Sequence, residues 1–279
     1  MSRTVEVEDW LAGLKAARRN TPLANATKQR IRNVFSILFT HAQRYEFAPQ
    51  GHNPITLVRQ SGKRARAPDI LTASEVHALW NESATRERAI IALQFGNGLR
   101  ISEAMGLKWC DIDFDDGTAS VTRSVVKGRE GNTKTEVSRK LVPLHSFQMQ
   151  DLKAWRVVAP YPDDSDWLFA SHLKKGRKPY WPDMLLKRHL VPTAERLGIK
   201  KKIGWHTFRR TYASLLKAAG TDLKVVQELL RHSNISTTMN LYVQAYSEDA
   251  RQAQSNIIEK VKNTPFQLPS ESPDTPPIS

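Results

Sequence analysis

The sequence has little of several features that define common classes of protein. It holds one cysteine, Cys110, in 279 residues, so an internal disulfide and a zinc site built on several cysteines are both excluded. Its longest apolar run, Ala89 to Leu93, is far shorter than the roughly 20 residues that cross a bilayer. The N-terminus is acidic and lacks an apolar h-region, which predicts no signal peptide. Together these absences predict a cytoplasmic protein without membrane contacts.

Motifs for several kinds of catalysis are missing too. The sequence has no Walker-type glycine loop, no HExxH and no GxSxG, so nucleotide hydrolysis and zinc proteolysis have no support. The acidic stretch 111–117 resembles a calcium loop, but Asp116 stands where glycine is required and Thr122 where glutamate is required. We interpret the stretch as a turn before a strand, and Cys110 beside it as part of a buried connector.

Positive charge is what the chain has in excess. It carries 42 Lys and Arg against 28 Asp and Glu, a net charge of +14, and its pI is about 10.0. Residues 1–66 alone hold twelve basic and four acidic side chains. Such a balance favours a polyanionic partner such as nucleic acid, although some basic enzymes share it.

The N-terminal part, residues 1–59, is predicted to be a short helical domain. Apolar spacing indicates helices over 5–17 and 26–45. The second has an apolar stripe made of Ile31, Val34, Phe35, Leu38 and Ala42. Its basic residues off that stripe are Lys28, Arg30, Arg32 and Arg44. They form either a solvated face or a row of contacts to a phosphate backbone.

A basic linker is predicted over 60–69, because the segment has no periodicity and contains Gly and Pro. Its Lys63, Arg64 and Arg66 are further candidates for DNA contact.

A larger domain is predicted over 70–262, beginning with a capping box at Thr72 and Glu75. Its pattern indicates mainly helices with a small antiparallel β-sheet. The predicted helices cover 86–94, 182–197, 205–218, 222–231, 236–246 and 248–262. The predicted strands cover 118–127 and 139–144, with a polar loop between them. Residues 263–279 are rich in proline and lack Lys and Arg, which predicts disorder.

Three separated segments carry side chains suited to phosphate chemistry. The first is Gly98-Leu-Arg100-Ile-Ser-Glu103, the second is His206-Thr-Phe-Arg209, and the third is Leu230-Arg231-His232-Ser233 with Tyr242 ten residues after the histidine. Each is weak alone, but the three in this order within a basic chain are specific.

With these segments the chain resembles the tyrosine recombinases, and among them the phage-type integrases, over about residues 5–262. The resemblance implies a short helical domain that clasps DNA and an α+β catalytic domain. It also implies a lysine in the β-hairpin loop, for which Lys134 fits best and Lys127 is the alternative. Arg231 stands where the family usually has glycine. The family's DNA-clasping domain usually has about four helices, whereas two or three are predicted here. Either the recombinase is small or the chain starts downstream of the natural start.

The reaction that this resemblance implies is cleavage and rejoining of DNA strands. Arg100 and Arg209 would clamp the phosphate oxygens and stabilise the charge that grows in the transition state. Tyr242 would attack phosphorus and form a covalent phosphotyrosine. Tyr212 and Tyr246 are the rival nucleophiles, of which Tyr212 is expected to pack instead.

Other residues would assist this reaction. His206 would exchange the proton of the phenol, Lys134 would protonate the departing 5′ oxygen, and His232 would bind the phosphate. Glu103 would brace Arg100 from behind. This scheme needs no metal, no ATP and no other cofactor.

The expected partner is double-stranded DNA, bound by a homo-tetramer on paired recombination sites, with accessory DNA-bending proteins as a further class. The helix over 248–262 is expected to pack on a neighbouring protomer, or else within its own chain. A cytoplasmic, nucleoid-associated protein of prokaryotic or phage origin would fit. A DNA-binding regulator without catalysis and a non-specific nucleoid protein remain the alternative functions.

Overall fold

The structure is a computed structural model that describes residues 4–62, 68–132 and 140–231, together with residues 234, 235 and 239. The chain divides into two compact units, Met1–Ala67 and Pro68–Ser279, and the division falls within the segment 60–69. It is mainly helical with small antiparallel sheets, as predicted. Within the described residues, no helix is both long and apolar enough to span a membrane.

The first unit contains two helices, α1 (Thr4–Gly13) and α2 (Asn25–Arg44). Its buried cluster consists of Leu11 from α1 and of Ile55 and Val58 from the segment after α2. Asn53 fastens that segment to α2, because its Nδ2 donates to the Ser36 carbonyl at 3.0 Å. The core of this unit is therefore small and lies between α1, α2 and one returning loop.

The apolar stripe of α2 is only partly covered. Ile31 packs against the small cluster, but Val34, Phe35 and Leu38 are exposed. Among the described residues of this unit, α1 and the segment around Ile55 are too short to cover a helix of 20 residues. The apolar stripe predicted from the sequence is therefore present on α2, but most of it is not buried.

The second unit begins with α3 (Ala73–Asn81), and Thr72 and Glu75 form the predicted capping box. The next helix is α4 (Thr85–Asn97). Its residues 89–93 are all fully buried, because the segment is apolar on every side and packs among the other elements. The helix ends at Gly98, which has a φ of 58°, and the single turn α5 (Ile101–Ala104) follows.

The β-strands differ from the prediction in two places. The predicted strand 118–127 is divided at Thr122 into strands of two different sheets, and part of the predicted loop is a strand. β1 (Ile112–Asp113), β2 (Thr118–Val121) and β5 (Lys140–Pro143) form an antiparallel sheet with β2 in the middle. β3 (Arg123–Val126) and β4 (Arg129–Asn132) form a separate hairpin. The predicted polar loop is therefore wrong over 129–132. Lys127 and Gly128 have positive φ angles of 50° and 73°, the geometry of a two-residue turn that favours pairing of the flanking strands.

The acidic stretch forms a turn between β1 and β2. The Asp113 side chain accepts hydrogen bonds from the backbone N–H groups of Asp115 and Asp116, both at 2.9 Å. Cys110 is exposed, so the prediction of a buried connector is wrong for its side chain. Its neighbour Trp109 is buried instead, because the short 3₁₀ turn over 109–111 sends successive side chains in different directions.

Five further helices follow in the described part of the chain. They are α6 (Ser146–Val158), α7 (Pro182–Leu185), α8 (Val191–Arg196), α9 (Trp205–Ala218) and α10 (Leu223–Leu229). A π turn over Leu186–Leu190 joins α7 to α8. Of these helices, α6 was not expected from the sequence. Most of the predicted helix 236–246, and all of 248–279, lie outside the described residues.

Candidate active site

The site begins at the sharp turn between α4 and α5. Gly98 occupies the left-handed region that favours glycine, at φ 58°. A Cβ atom there would lie 2.7 Å from the Tyr212 ring and 2.9 Å from Leu230. The turn therefore packs closely against α9 and the end of α10. Arg100 follows Gly98 by two residues and is positioned by this turn.

Glu103 holds Arg100 by two contacts. Its Oε2 accepts the backbone N–H of Arg100 at 2.9 Å, and its Oε1 accepts Arg100 Nη1 at 2.8 Å. Glu103 is buried while the Arg100 side chain stays partly exposed. The carboxylate therefore fixes one edge of the guanidinium and leaves donors of the other edge for a ligand, since a guanidinium has five.

Arg209 is buried on α9. Its Nη1 donates to the carbonyl of Gly98 and its Nη2 to the carbonyl of Leu230. One side chain thus joins the three segments that the sequence analysis singled out. Burial and repulsion from Arg100 lower the pKa of Arg209 to about 9, against the attraction of Glu103. Arg209 keeps its positive charge at neutral pH.

His206 lies one helical turn before Arg209 on the same face of α9 and is exposed. Partial loss of hydration, followed by the charges of Arg210, Arg209 and Arg100, lowers the pKa of His206 below its ordinary value of 6.5. The imidazole is therefore neutral at pH 7, and a neutral imidazole can accept a proton.

Arg231 is a third arginine of the cluster, and its role could not be predicted from the sequence. Its Nη2 donates to Glu103 Oε2 at 3.0 Å, and both side chains are about 95% buried. The backbone of Arg231 has a φ of 52°. The sequence did contain one sign of it, because an arginine stands here where the family usually has glycine.

Several predicted site residues lie outside the described residues, namely Lys134, His232, Tyr242 and the rival Tyr246. The alternative lysine, Lys127, lies in the exposed turn between β3 and β4. The rival Tyr212 packs against Ala213, Val226 and Leu230, and burial raises the pKa of its phenol. Packing is therefore the role that the structure gives Tyr212.

The predicted DNA-contacting residues divide into three groups. Lys28 is buried, and its Nζ donates to the Ala12 carbonyl at 2.7 Å, so it holds α1 and is not exposed to a phosphate backbone. Arg32 donates to the Thr56 carbonyl at 2.6 Å. Arg30 and Arg44 are exposed and stay candidates. The linker residues Lys63, Arg64 and Arg66 lie outside the described residues.

A groove of about 540 Å³ opens beside the arginines. Its walls are mostly apolar and include Leu141 from β5 and Val225 and Leu229 from α10. Arg231 lines the groove, but Arg100 and Arg209 do not. The groove is therefore a neighbour of the arginine cluster and not the place where these two arginines would meet a phosphate.

Three arginines thus gather around one buried carboxylate, with a neutral histidine beside them, in a mainly helical unit. Residues 68–249 match the model of the phage integrase family. The chain is 31% identical over 201 residues to tyrosine recombinase XerA of Thermococcus kodakarensis, covering 70% of this chain and 65% of that protein. It is 30% identical over 260 residues to XerD of Ralstonia nicotianae, covering 89% and 75%. The chain therefore belongs to the phage integrase family of tyrosine recombinases.

Solved structures agree on the fold. The Tn1549 transposon integrase, in complex with a circular intermediate DNA, superposes with a TM-score of 0.71 at 19% identity, covering 91% of this chain and 85% of that one. The XerH recombinase bound to a palindromic difH substrate gives 0.69 at 24% identity, covering 91% and 72%. At 65% of the length of XerA, the chain spans slightly less than two thirds of that relative.

Proposed function

We propose that the protein is a site-specific DNA recombinase that cleaves and rejoins strands through a covalent 3′-phosphotyrosine at Tyr242. The observation that carries this proposal is the position of Arg209, whose guanidinium bonds to the backbone of both other segments. Residues that are more than a hundred positions apart in the sequence are thereby gathered at one site. A phosphodiester suits two neighbouring guanidinium groups, because each has five N–H donors and keeps some of them after its contacts to Glu103 or to the backbone carbonyls.

The chemistry balances without a metal ion or ATP. The Tyr242 oxygen bonds to phosphorus while the bond from phosphorus to the 5′ oxygen breaks, so a phosphodiester is exchanged for another ester of similar energy. Charge on the phosphate oxygens grows in the transition state, and Arg100 and Arg209 would stabilise it. The reverse attack by a 5′ hydroxyl rejoins the strand and frees the tyrosine.

Protons move through His206 and Lys134 in this scheme. The phenol of Tyr242, with an ordinary pKa of about 10, gives its proton to His206, which is neutral at pH 7 because its pKa is lowered. Lys134 donates a proton to the departing 5′ oxygen, with Lys127 as the alternative donor, and His232 binds the phosphate. Strand cleavage should therefore slow as the pH falls through the lowered pKa of His206.

The same proposal extends to DNA binding and assembly. Arg30 and Arg44, exposed on α2, would contact phosphates, together with Lys63, Arg64 and Arg66 of the segment between the units. A homo-tetramer would assemble on paired sites, with the segment 248–262 packing on a neighbouring protomer. Accessory DNA-bending proteins and a location at the nucleoid in the cytoplasm belong to this proposal as well.

Trapping of the covalent intermediate tests the proposed function. The substrate is a nicked DNA duplex whose sequence comes from the ends of the genomic segment next to the coding region. The product is separated under denaturing conditions. The wild type should accumulate a protein–DNA adduct, and Tyr242→Phe should bind the DNA without forming one. An adduct from Tyr242→Phe would identify Tyr246 or Tyr212 as the nucleophile.

Matched controls separate the alternatives. Tyr246→Phe and Tyr212→Phe remove the same hydroxyl from other positions and should still form the adduct. Binding without any adduct from the wild type would favour a DNA-binding regulator. Binding that is equally tight to unrelated DNA would favour a nucleoid protein.

A further inference from the structure

Arg231 is the part of the arginine cluster that the family pattern does not explain. It stands where the family usually has glycine, and its φ of 52° lies in the region that favours glycine. Its side chain is only 4% exposed. An arginine here combines an unfavourable backbone conformation with a buried charge, two costs that glycine would avoid.

The contacts of Arg231 lead directly to the predicted phosphate clamp. Its Nη2 lies 3.0 Å from Glu103 Oε2, and the same oxygen accepts the backbone N–H of Arg100 at 2.9 Å. The other oxygen of Glu103 accepts Arg100 Nη1 at 2.8 Å. One buried carboxylate is thus shared between two arginines, of which only Arg100 is partly exposed.

Arg231 determines the net charge of the cluster. Arg100 and Arg209 bring two positive charges, but Glu103 cancels one of them, so the three together carry a single net charge. With Arg231 the cluster carries two. A phosphodiester has one negative charge and gains more as the nucleophile attacks, and in a buried site such charges interact far more strongly than in water.

We propose that Arg231 is a positioning residue that replaces, at the phosphate clamp, the positive charge that Glu103 cancels. By donating to Glu103, it keeps the carboxylate ionised and in place while Arg100 binds phosphate with its remaining donors. The inference deepens the proposed function and depends on it, since it concerns the same phosphate.

The electrostatics of Glu103 agree with this role. The charged groups that face Glu103 are Arg100 from the turn before α5, Arg209 from α9 and Arg231 from the residues after α10, while His206 of α9 faces Arg100 and Arg209. Burial raises the pKa of Glu103, but Arg231, followed by Arg100, lowers it below its ordinary value. Removing Arg231 should therefore raise this pKa, so that Glu103 would become protonated, and lose its hold on Arg100, at a higher pH.

The test compares Arg231→Gly, Arg231→Lys and the wild type. Arg231→Gly relaxes the backbone but leaves the buried Glu103 without one partner, so the folded protein should lose some stability. Thermal unfolding of each variant, measured first, sets a temperature at which all three are folded. The rate of covalent adduct formation in a single turnover should fall roughly 10- to 100-fold, the usual effect of losing one charged hydrogen bond. In the pH profile of this rate, the fall on the acid side should move to higher pH, while DNA affinity changes little. Arg231→Lys should recover part of the rate, because it keeps the charge without the planar fork.

Lys175→Gly is the matched control. Lys175 is exposed and also has a positive φ, 49°, so this substitution removes one positive charge and relaxes one backbone position without touching the cluster. It should leave the rate and the pH profile unchanged. Equal effects of Lys175→Gly and Arg231→Gly would overturn the proposal, because the loss would then reflect net charge alone.

Two further results separate this inference from the proposed function. If the wild type forms the adduct and Arg231→Gly forms it at the same rate and with the same pH profile, the inference is wrong and the proposed function stands. If the wild type forms no adduct, the proposed function fails and the inference with it. A ¹³C NMR titration of the Glu103 carboxyl group does not depend on activity. If the pKa of Glu103 is the same in Arg231→Gly as in the wild type, Arg231 does not stabilise the carboxylate and the inference is wrong.

Discussion

Leu38 and Leu93 are both leucines inside long helices, yet one is 58% exposed and the other is fully buried. Leu93 belongs to α4, which other elements of the second unit cover on all sides. Leu38 belongs to α2, whose unit has a buried cluster of three residues. Apolar side chains in a long helix therefore form a core in one unit and an exposed face in the other, because burial depends on how many neighbouring elements are present.

The two units also treat buried charge differently. In the second unit, Glu103, Arg209 and Arg231 are buried together and neutralise one another in part. In the first unit, the buried Lys28 is satisfied by one backbone carbonyl of α1. A cluster with more arginines than carboxylates keeps net positive charge, with which it could attract an anionic ligand. A single ammonium bonded to the carbonyl end of a helix stabilises the fold instead.

The largest effect is expected from removing Arg209. Arg209→Ala should lower the rate of adduct formation by about 10² to 10³, or about 3–4 kcal/mol of transition-state stabilisation. It should also lower stability, because the Gly98 and Leu230 carbonyls lose their donor. Single-turnover cleavage and thermal unfolding measure the two effects separately. Arg209→Lys, which keeps a charge, should be more stable than the alanine variant, and full activity in either variant would refute the clamp.

A pair of leucine substitutions compares the two units directly. Leu93→Ala should lower the free energy of unfolding by about 2–5 kcal/mol, the cost of a cavity in a packed core. Leu38→Ala should change it by less than about 0.5 kcal/mol, because its side chain already contacts water. Chemical denaturation measures both. A large loss from Leu38→Ala would mean that the exposed face of α2 is covered in solution.

The sequence predicted most of the helices and the three segments of the site, since helical spacing, caps and short motifs are local signals. It did not predict β4, because Arg129–Asn132 is polar and its pairing with β3 depends on the turn at Lys127 and Gly128. Nor did it predict the burial of Lys28, or the bond from Arg231 to Glu103. Those contacts join residues distant in the sequence, and no local pattern encodes which carboxylate or carbonyl a long cationic side chain will reach.

A smaller effect is expected at the turn that presents Arg100. Gly98→Ala should cost about 2–3 kcal/mol, since alanine is strained at a positive φ and its Cβ would overlap the Tyr212 ring. Gly220→Ala is the control, because Gly220 also has a positive φ, 74°, but has no atom of the described residues within 4 Å of its Cβ position. It should cost only about 1 kcal/mol. Thermal unfolding of both variants isolates the contact, and equal losses would show that the close approach contributes nothing.

The smallest effect distinguishes the two kinds of basic residue on α2. Arg30 is exposed, whereas Lys28 is buried against the Ala12 carbonyl. Arg30→Ala should leave stability unchanged and reduce the slope of log affinity against log salt by about 0.9, the value for one lost phosphate contact. Lys28→Met should instead lower stability by about 1–3 kcal/mol, since the carbonyl loses a charged donor. It should leave the salt slope unchanged. A salt titration of duplex binding and a denaturation curve for each variant give both numbers. If Lys28→Met lowers the slope as Arg30→Ala does, the buried lysine reaches DNA after all, and the distinction between the two residues fails.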